Sequence, residues 1–398
     1  MTVGKSKKLF ALIAVLVVLA MVVTGCGSED ADSGDSGSSS DLVEVKIGVS
    51  SPFTGDVAAL GLGIKNGALL AISDSADELA DLGIDLSAFA VDDAADPKTG
   101  VNAANQMISD SDLVGVVAHL NSGVSIPTSA VYNEAGVVQV SPASTNPQLT
   151  EQGFDNVFRV CTIDTVQGSY AGTFAYNELG AMTAVVLDDS TPYGEGLAAE
   201  FAKQFEAEGG EILLAEKIQL KDQDFKALVT KMEALNPDMI YFGGMYTEAG
   251  LVSRQAKEAG MSAPVMGGDG LYTQQFIEIG GDEGDFSTSV GLPLSEQPKG
   301  QDFIASFEDA YPGETIEAYD TYAYDAAMVI IEAIKTVVAD MGADEVTSAE
   351  GKRAIIEAVA ATDYPGVTGN VSFDEKGDTL NKAITPYVVE GGAWVPAE

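Results

Sequence analysis

Two segments rich in hydroxyl groups follow predicted strands, at positions where a small anion could bind. Residues 120–125 (LNSGVS) open a predicted helix, and residues 141–147 (SPASTNP) form a loop that two prolines stiffen. Hydroxyl and free N–H groups at such places are donors for a carboxylate. We therefore expect Ser122, Thr145 and the backbone of Ala143 to hold one carboxylate without a cationic side chain. Ordinary helix capping and an ordinary turn are the alternatives at this point.

Asp269 stands in a glycine-rich loop (GGDG, residues 267–270) after another predicted strand. The glycines allow the backbone to approach a ligand closely, and Asp269 would present a carboxylate at the cleft. A solvated turn is the alternative. The glycines of residues 61–67 (GLGIKNG) are spaced wrongly for a dinucleotide-binding loop, and we interpret them as packing glycines.

The composition disfavours nucleic-acid binding and most catalytic chemistry. The chain has 398 residues, 61 acidic and 20 basic side chains and a net charge of −41, so it would repel phosphate backbones. His119 is the single histidine and is interpreted as a core residue, while Cys26 and Cys161 are too few for a thiolate cluster. We expect Cys161 to be a buried strand thiol. We therefore expect no catalytic residues, no metal site, no cofactor and no nucleic-acid partner.

Short β-rich runs alternate with longer helical patterns from residue 42 onward, which is typical of parallel sheets covered by helices. Because the chain is too long for one such core, we expect two α/β lobes. Ligands of open α/β sheets bind at the carboxyl ends of the strands, so the polar loops should face one cleft. The predicted strands are 43–50, 88–91, 113–118, 137–140, 183–187, 239–242 and 264–266, and the predicted helices are 63–79, 98–109, 196–208, 224–235 and 248–259.

Residues 1–25 have the features of a secretory signal peptide. A lysine-rich start precedes the apolar run of residues 9–23, which is shorter than a membrane-spanning helix requires. The run ends at residues 23–26 (VTGC), which resemble the lipobox of bacterial or archaeal lipoproteins. The resemblance predicts cleavage before Cys26, a lipid on Cys26, and a flexible acidic Ser/Gly tether over residues 26–41. An uncleaved signal anchor is the alternative.

Eight short motifs occur along the chain after residue 41: 91–98 (VDDAADPK), 119–122 (HLNS), 141–145 (SPAST), 167–168 (QG), 193–197 (YGEGL), 243–244 (GG), 254–256 (RQA) and 373–378 (FDEKGD). In this order they resemble the leucine/isoleucine/valine-binding protein family, the substrate-binding components of branched-chain amino acid ABC importers. The resemblance implies two Rossmann-like lobes of the periplasmic binding protein type I fold, joined by three crossovers, with the ligand in the interlobe cleft. It places residues 42–163 and 293–384 in lobe 1, and 164–292 and 385–398 in lobe 2.

The resemblance also assigns roles to the candidate residues. Ser122, Ala143 and Thr145 match the residues that bind the carboxylate of a free α-amino acid. Asp269 matches the acidic residue that binds the α-ammonium group. Tyr193 matches a tyrosine of the second lobe that closes the cleft.

The side-chain end of the ligand pocket departs from the family pattern. Leu60 stands where the family often has an aromatic residue, and Met245 stands where a second tyrosine is common, with Tyr246 beside it. Because Leu60 and Met245 are apolar, we expect an aliphatic, branched-chain ligand. A larger ligand such as phenylalanine or methionine is the main rival.

We therefore expect an extracytoplasmic lipoprotein that captures a free aliphatic amino acid by lobe closure and delivers it to the permease and ATPase subunits of an ABC importer. The lipid on Cys26 would anchor it, as a monomer, to the outer face of the cell membrane. A receptor for an aromatic amino acid, an amide or urea is one alternative, and a ligand sensor on the same fold is another. An enzyme is a third class, which no cysteine–histidine pair, metal cluster or phosphate loop in the sequence supports.

Overall fold

The computed structural model describes residues 42–397. The predicted signal peptide (1–25), the tether (26–41) with the predicted lipidation site Cys26, and residue 398 lie outside the described residues. Within residues 42–397, no helix combines the length and the apolar character that crossing a membrane requires.

Helices and strands alternate along most of the described chain. The strands are β1 (Val43–Ser51), β2 (Ile84–Asp92), β3 (Leu113–Ala118), β4 (Val138–Ser141), β5 (Val157–Arg159), β6 (Thr183–Asp188), β7 (Glu211–Lys217), β8 (Met239–Gly243), β9 (Val265–Gly267), β10 (Phe286–Val290), β11 (Tyr364–Pro365), β12 (Asn370–Val371), β13 (Ile384–Glu390) and β14 (Ala393–Pro396). The α-helices are α1 (Ala58–Asp81), α2 (Pro97–Ile108), α3 (Ser122–Glu134), α4 (Gln148–Glu151), α5 (Asp164–Asn177), α6 (Pro192–Glu208), α7 (Lys226–Leu235), α8 (Tyr246–Glu258), α9 (Gln274–Ile279), α10 (Gly300–Ala310), α11 (Asp320–Met341) and α12 (Ala349–Ala360). Short 3-10 helices lie at Asp269–Leu271, Leu294–Glu296 and Ala343–Glu345.

The first sheet has the strand order β2-β1-β3-β4-β5, and its strands are parallel. Strand β3 is the apolar run LVGVVA, and each of its residues is buried. Its side chains divide between two cores: Val114 and Val117 lie in the core that includes α1 and α11, and Leu113 and Val116 lie in the core that includes α2 and α3. Continuous apolar strands are typical of parallel sheets with helices on both faces. We call this sheet and its helices the first lobe.

The second sheet has the order β14-β13-β10-β9-β8-β6-β7. Strands β6 to β10 are parallel, while β13 and β14 add an antiparallel edge. Helices α5 and α6 pack against each other, and α6 packs on β6 and β8. We call this sheet and its helices the second lobe.

The chain passes between the two sheets after β5, after β10 and before β13. Helices α10 and α11, which follow β10, return to pack against α1 of the first lobe. We propose the lobe boundaries 42–163 with 293–384 and 164–292 with 385–398, since the passages between the sheets lie near these positions.

The predicted strands and helices are present. The structure also contains helices α4, α5 and α9 to α12 and strands β5, β7 and β10 to β14, which the sequence analysis did not list. Strand β5 has three residues and β10 (FSTSV) is largely polar, so neither of them carries a strong apolar signal. Helix α1 begins at Ala58, ahead of the predicted residue 63, because glycines that suggested a boundary lie inside it.

The glycines of α1 allow the start of α11 to approach closely. A Cβ on Gly63 would lie 2.0 Å from Asp320 Oδ1, and a Cβ on Gly67 would lie 2.1 Å from the Asp320 carbonyl oxygen. No larger residue fits at either position without moving α11. Leu60 lies near the start of α1, and Tyr319 is the residue before α11. The close contact between the two helices therefore fixes the position of Leu60 relative to Tyr319.

Candidate functional site

The residues predicted to bind a carboxylate lie in the loops that follow β3 and β4. Ser122 is the first residue of α3, and its hydroxyl accepts a hydrogen bond from the N–H of Asn146 at 3.2 Å. Thr145 is fully buried, and its hydroxyl has no partner within the described part of the chain. Ala143 is also buried, and its N–H donates to Ser141 Oγ at 3.3 Å. The structure therefore brings the two loops together and leaves the Thr145 hydroxyl available to a further partner.

Arg159 fixes the loop on both sides of Thr145. Its buried guanidinium donates to the carbonyls of Ser144 and Asn146, each at 2.8 Å. It also forms an ion pair with Asp378, with 2.7 Å between Nε and Oδ1, although the geometry is not that of a hydrogen bond. One charged group thus holds the carbonyls that flank Thr145, and the sequence analysis did not single it out.

His119, which follows β3, is a buried core residue. Its Nδ1 lies 2.7 Å from Asp93 Oδ2, and its Nε2 lies 3.3 Å from the hydroxyl of Tyr132. Its carbonyl accepts a hydrogen bond from the Ser144 hydroxyl at 3.1 Å. The imidazole therefore has partners inside the first lobe, and the residue positions the loop after β4.

Asp269 follows β9 at the start of a 3-10 helix and is fully buried. Its Oδ1 accepts a hydrogen bond from the Tyr193 hydroxyl at 2.7 Å, and its Oδ2 accepts one from the Tyr319 hydroxyl. Burial raises the pKa of Asp269 above its ordinary value, while the two tyrosine hydroxyls oppose this shift. The carboxylate thus connects Tyr193 of the second lobe with Tyr319, which immediately precedes α11 of the first lobe.

Glycines bring the Asp269 loop into contact with its neighbours. A Cβ on Gly268 would lie 2.8 Å from the Tyr193 hydroxyl, and a Cβ on Gly270 would lie 3.1 Å from Met245 Sδ. Only a residue without a side chain leaves room for both contacts. Met245, at 7% exposure, therefore lies beside the Asp269 loop.

Leu60 and Tyr246 lie near the starts of α1 and α8, on different lobes. Leu60 is fully buried and Tyr246 is nearly so. Burial raises the pKa of Tyr246 to about 12, and a hydrogen bond with the Ala59 backbone opposes that shift. Both side chains belong to one continuous cluster of buried hydrophobic residues that also contains Tyr193 and Met245.

Asp164, the first residue of α5, is a second buried acid that the sequence analysis missed. Its N–H donates to the carbonyl of Thr145 at 2.9 Å. Neither of its carboxylate oxygens has a hydrogen-bond partner among residues 42–397, and the same holds for Oε1 of Gln167. Burial raises the pKa of Asp164 to about 8, the neighbouring Thr145 hydroxyl opposes this shift, and the charge of Asp269 adds to it. Two carboxylates therefore act on the region next to the Thr145 hydroxyl.

The lobes are in contact across the cleft, beyond the bond between Tyr319 and Asp269. Asn146 Nδ2 donates to the carbonyl of Pro192 at 2.6 Å. At the other side of the cleft, Thr247 Oγ1 donates to the carbonyl of Asp56 at 3.2 Å. The structure is therefore that of a closed cleft.

The arrangement suits a small zwitterion. Hydroxyl and N–H donors lie in the first-lobe loops, buried carboxylates lie on the second-lobe side, and apolar side chains complete the cluster. Such groups satisfy a carboxylate and an ammonium group out of contact with water. In the part of the chain that the structure describes, no group of three or more His, Cys, Asp or Glu residues could hold a metal ion.

Asp164 makes the stability of the protein depend on pH. Its pKa in the folded chain, about 8, lies above the ordinary value of 3.8, so between these pH values the folded chain holds a proton that the unfolded chain has lost. The free energy of unfolding should therefore fall as pH rises from 4 to 8. We expect Asp164→Asn to stabilise the protein more at pH 8 than at pH 5, by more than about 1.4 kcal/mol, the free energy of one pKa unit.

Urea denaturation at both pH values measures this difference. The control is Asp81→Asn, which changes an exposed aspartate at the end of α1. An equal effect of Asp164→Asn at pH 5 and pH 8 would show that Asp164 is ionised in the folded protein.

Comparison with known proteins gives one consistent family. The family model described as periplasmic binding protein matches residues 44–393. The chain is 34% identical to a Leu/Ile/Val-binding protein homolog 1 from Brucella suis over 379 residues, which cover 95% of each protein. It is similar to the crystal structure of a leucine-binding protein from Thermotoga maritima, with a TM-score of 0.80 and 30% identity over 89% of this chain and 98% of that one.

A further solved structure, the branched-chain amino acid transporter substrate-binding protein of Streptococcus pneumoniae in complex with isoleucine, has a TM-score of 0.77 and 25% identity. The match covers 89% of this chain and 100% of that chain. Together these similarities confirm the predicted family and the predicted α/β fold of two lobes.

Proposed function

The chain belongs to the periplasmic binding protein family, among the Leu/Ile/Val-binding proteins, and from this premise we propose that it captures a free branched-chain amino acid for an ABC importer. Members of this family are extracytoplasmic substrate-binding components of transporters and not enzymes. One observation supports the proposal most directly. The Thr145 hydroxyl, an available donor, lies at the same closed cleft as the buried carboxylates of Asp164 and Asp269.

In this proposal the first lobe binds the carboxylate of the amino acid. The buried Thr145 hydroxyl has no partner in the described chain and can donate to a carboxylate oxygen. The Ser122 hydroxyl and the Ala143 N–H lie in the same pair of loops. Donors without a formal charge suffice, since a hydrogen bond to a charged group is stronger than one between neutral groups.

Asp269 and Asp164 serve the ammonium group. Asp269 already accepts hydrogen bonds from two tyrosine hydroxyls, which hold its carboxylate in place, and Asp164 has both oxygens free within the described residues. A bound ammonium would favour the ionised form of each acid, because an opposite charge lowers the pKa of a carboxyl group. Tyr193 and Tyr319 tie this end of the site to both lobes, so that binding and closure are coupled.

The chain's apolar residues should determine which amino acid binds most tightly. A side chain lying against Leu60 and Met245 gains about 0.8 kcal/mol per buried methylene, whereas a charged one would lack a partner there. We expect leucine, isoleucine and valine to bind more tightly than glutamate, lysine and glycine. Discrimination among the three should be modest, since one methylene is worth only about 1–3 kcal/mol in an apolar pocket.

A thermal-shift screen followed by calorimetric titration tests the proposal, because a ligand that binds the folded state raises the unfolding midpoint. The screen contains the aliphatic, aromatic and charged amino acids, simple amides and urea. An acidic or amide ligand that binds more tightly than each aliphatic amino acid would contradict the assignment of the pocket. Phenylalanine or methionine as the tightest ligand would replace the branched-chain preference with a wider one.

We also propose that a lipid on Cys26 anchors the protein, as a monomer, to the outer face of the membrane, where it meets the permease of an importer that also contains ATPase subunits. The sequence of residues 23–26 supports this proposal. In the natural host we expect Cys26→Ala to abolish lipidation and membrane retention, because the acceptor thiol is lost. Mass spectrometry and membrane fractionation measure both; unchanged mass and retention would contradict the anchor. Ser28→Ala, two residues further along, is the control.

A further inference from the structure

A cavity lies away from the loops that carry Ser122 and Thr145, beside the passage from β10 to the first lobe. Its volume is about 100 Å³. One wall comes from the second lobe, through Tyr272 and Tyr387. The other comes from Glu317, in the segment that leads into α11, and from Tyr322 of α11. We call it the hinge cavity.

Aromatic rings form much of the hinge cavity. The ring centroids of Tyr272 and Tyr387 lie 4.1 Å apart at an angle of 33°, and Tyr322 is 2% exposed. Tyrosine rings carry partial negative charge on their faces, and such faces attract organic cations. Three tyrosines around one cavity therefore favour a positively charged occupant with apolar surface.

Glu317 is the one charged side chain that lines the hinge cavity, while the hydroxyls of Ser289, Thr321 and the tyrosines can donate or accept hydrogen bonds. Glu317 brings a carboxylate, and Gln297 has a buried Oε1 without a hydrogen-bond partner among residues 42–397. Neighbouring acids reinforce the negative potential. The charge of Glu296 raises the pKa of Tyr387, and the charge of Glu278 raises the pKa of Glu317. An anion would be repelled here, and a neutral apolar molecule would leave the acceptors unsatisfied.

We propose that the hinge cavity is a binding site for a small organic ammonium ion. The aliphatic part of the ion lies against the tyrosine rings, and its N–H groups donate to Glu317 and to Gln297 Oε1. A cavity of about 150 Å³ holds benzene, so about 100 Å³ accommodates roughly four to five heavy atoms. Leu292, at 42% exposure, also lines the cavity, so solvent reaches it from this side.

An ion in this site touches both lobes. Tyr387 belongs to β13 of the second sheet, whereas Tyr322 belongs to α11, which packs on α1 of the first lobe. A ligand that contacts both lobes in one arrangement favours that arrangement over others. The hinge cavity would thus couple an organic cation to the closed form of the protein, independently of which ligand occupies the main cleft.

Calorimetric titration of the full-length protein with tert-butylammonium chloride at constant ionic strength tests the proposal. The neutral probe of the same shape is tert-butanol. We expect saturable binding of tert-butylammonium and at least tenfold weaker binding of tert-butanol. Glu317→Gln should weaken tert-butylammonium binding at least tenfold and Tyr272→Leu at least threefold. Glu314→Gln, in the exposed part of the same segment, is the matched control and should leave it unchanged.

A further variant distinguishes the hinge cavity from the cleft, because Asp269 could also attract an ammonium ion. We expect Asp269→Asn to keep saturable binding of tert-butylammonium, because Asp269 does not line the hinge cavity. The proposal is overturned if binding is lost in Asp269→Asn and kept in Glu317→Gln, if tert-butanol binds equally well, or if no saturable binding occurs. These results do not depend on the amino acid that the cleft binds, so they are separate from the test of the proposed function.

Discussion

Asp269→Ala should weaken the binding of leucine by at least about 2 kcal/mol, or roughly thirtyfold in the dissociation constant. The carboxylate is fully buried and held by Tyr193 and Tyr319, so its position is fixed before a ligand arrives. Without it, the ammonium group would be buried in a closed cleft with a partner missing, and removal of one member of a buried charged pair costs about 2–5 kcal/mol. Calorimetric titration with leucine measures the change.

The control for this experiment is Glu278→Ala, which removes an exposed acid of α9 in the same lobe and should leave the affinity unchanged. Ser122→Ala and Thr145→Ala should each cost about 1–2 kcal/mol, as expected for hydrogen bonds to a charged group. Equal affinity for the Asp269→Ala variant would remove Asp269 from the ammonium site. If the affinity for leucine fell in Asp164→Asn but not in Asp269→Ala, Asp164 would be the partner of the ammonium group.

The loops that form the candidate site could be predicted from the sequence because the strands before them have strong apolar patterns. Strand β3 is six buried apolar or glycine residues, and β4 ends one residue before Pro142. Since the carboxyl ends of parallel strands gather at one edge of a sheet, the positions of Ser122 and Thr145 followed from those strands. Asp269 followed in the same way from β9.

The contacts between lobes could not be predicted in this way. Tyr319 lies in a segment between α10 and α11, 50 residues from Asp269 along the chain, and no local pattern links the two. Asp164 is one of 61 acidic residues, and its burial results from tertiary packing that a single sequence does not reveal. Arg159 is similar, because a buried arginine and an exposed one look alike in the sequence.

The motif FDEKGD gains a physical explanation from the structure. Its last residue, Asp378, pairs with Arg159, while the N–H of Arg159 donates to the carbonyl of Gly377 at 3.0 Å. The turn thus attaches to the edge strand β5 and neutralises the guanidinium that holds the loop around Thr145. The motif therefore acts on the site through Arg159, without forming part of it.

Arg159→Met should lower the free energy of unfolding by about 3–5 kcal/mol, the cost of leaving one member of a buried ion pair without its partner. Asp378 is only 5% exposed and would lose its partner, and the carbonyls of Ser144 and Asn146 would lose their donor. Because those carbonyls flank Thr145, the folded variant should also bind leucine less tightly. Urea denaturation measures the stability, and titration of the folded variant measures the affinity.

Arg353→Met is the matched control for this last prediction, since Arg353 pairs with Asp155 and Glu357 but is 53% exposed. An exposed ion pair contributes about 0–1 kcal/mol, so this variant should differ little from the unchanged protein. The double variant Arg159→Met with Asp378→Ala should recover part of the lost stability, because it removes the unpaired buried charge. If Arg159→Met and Arg353→Met lowered the free energy of unfolding by similar small amounts, the buried pair would not stabilise the loop. The positioning role of Arg159 would then be wrong.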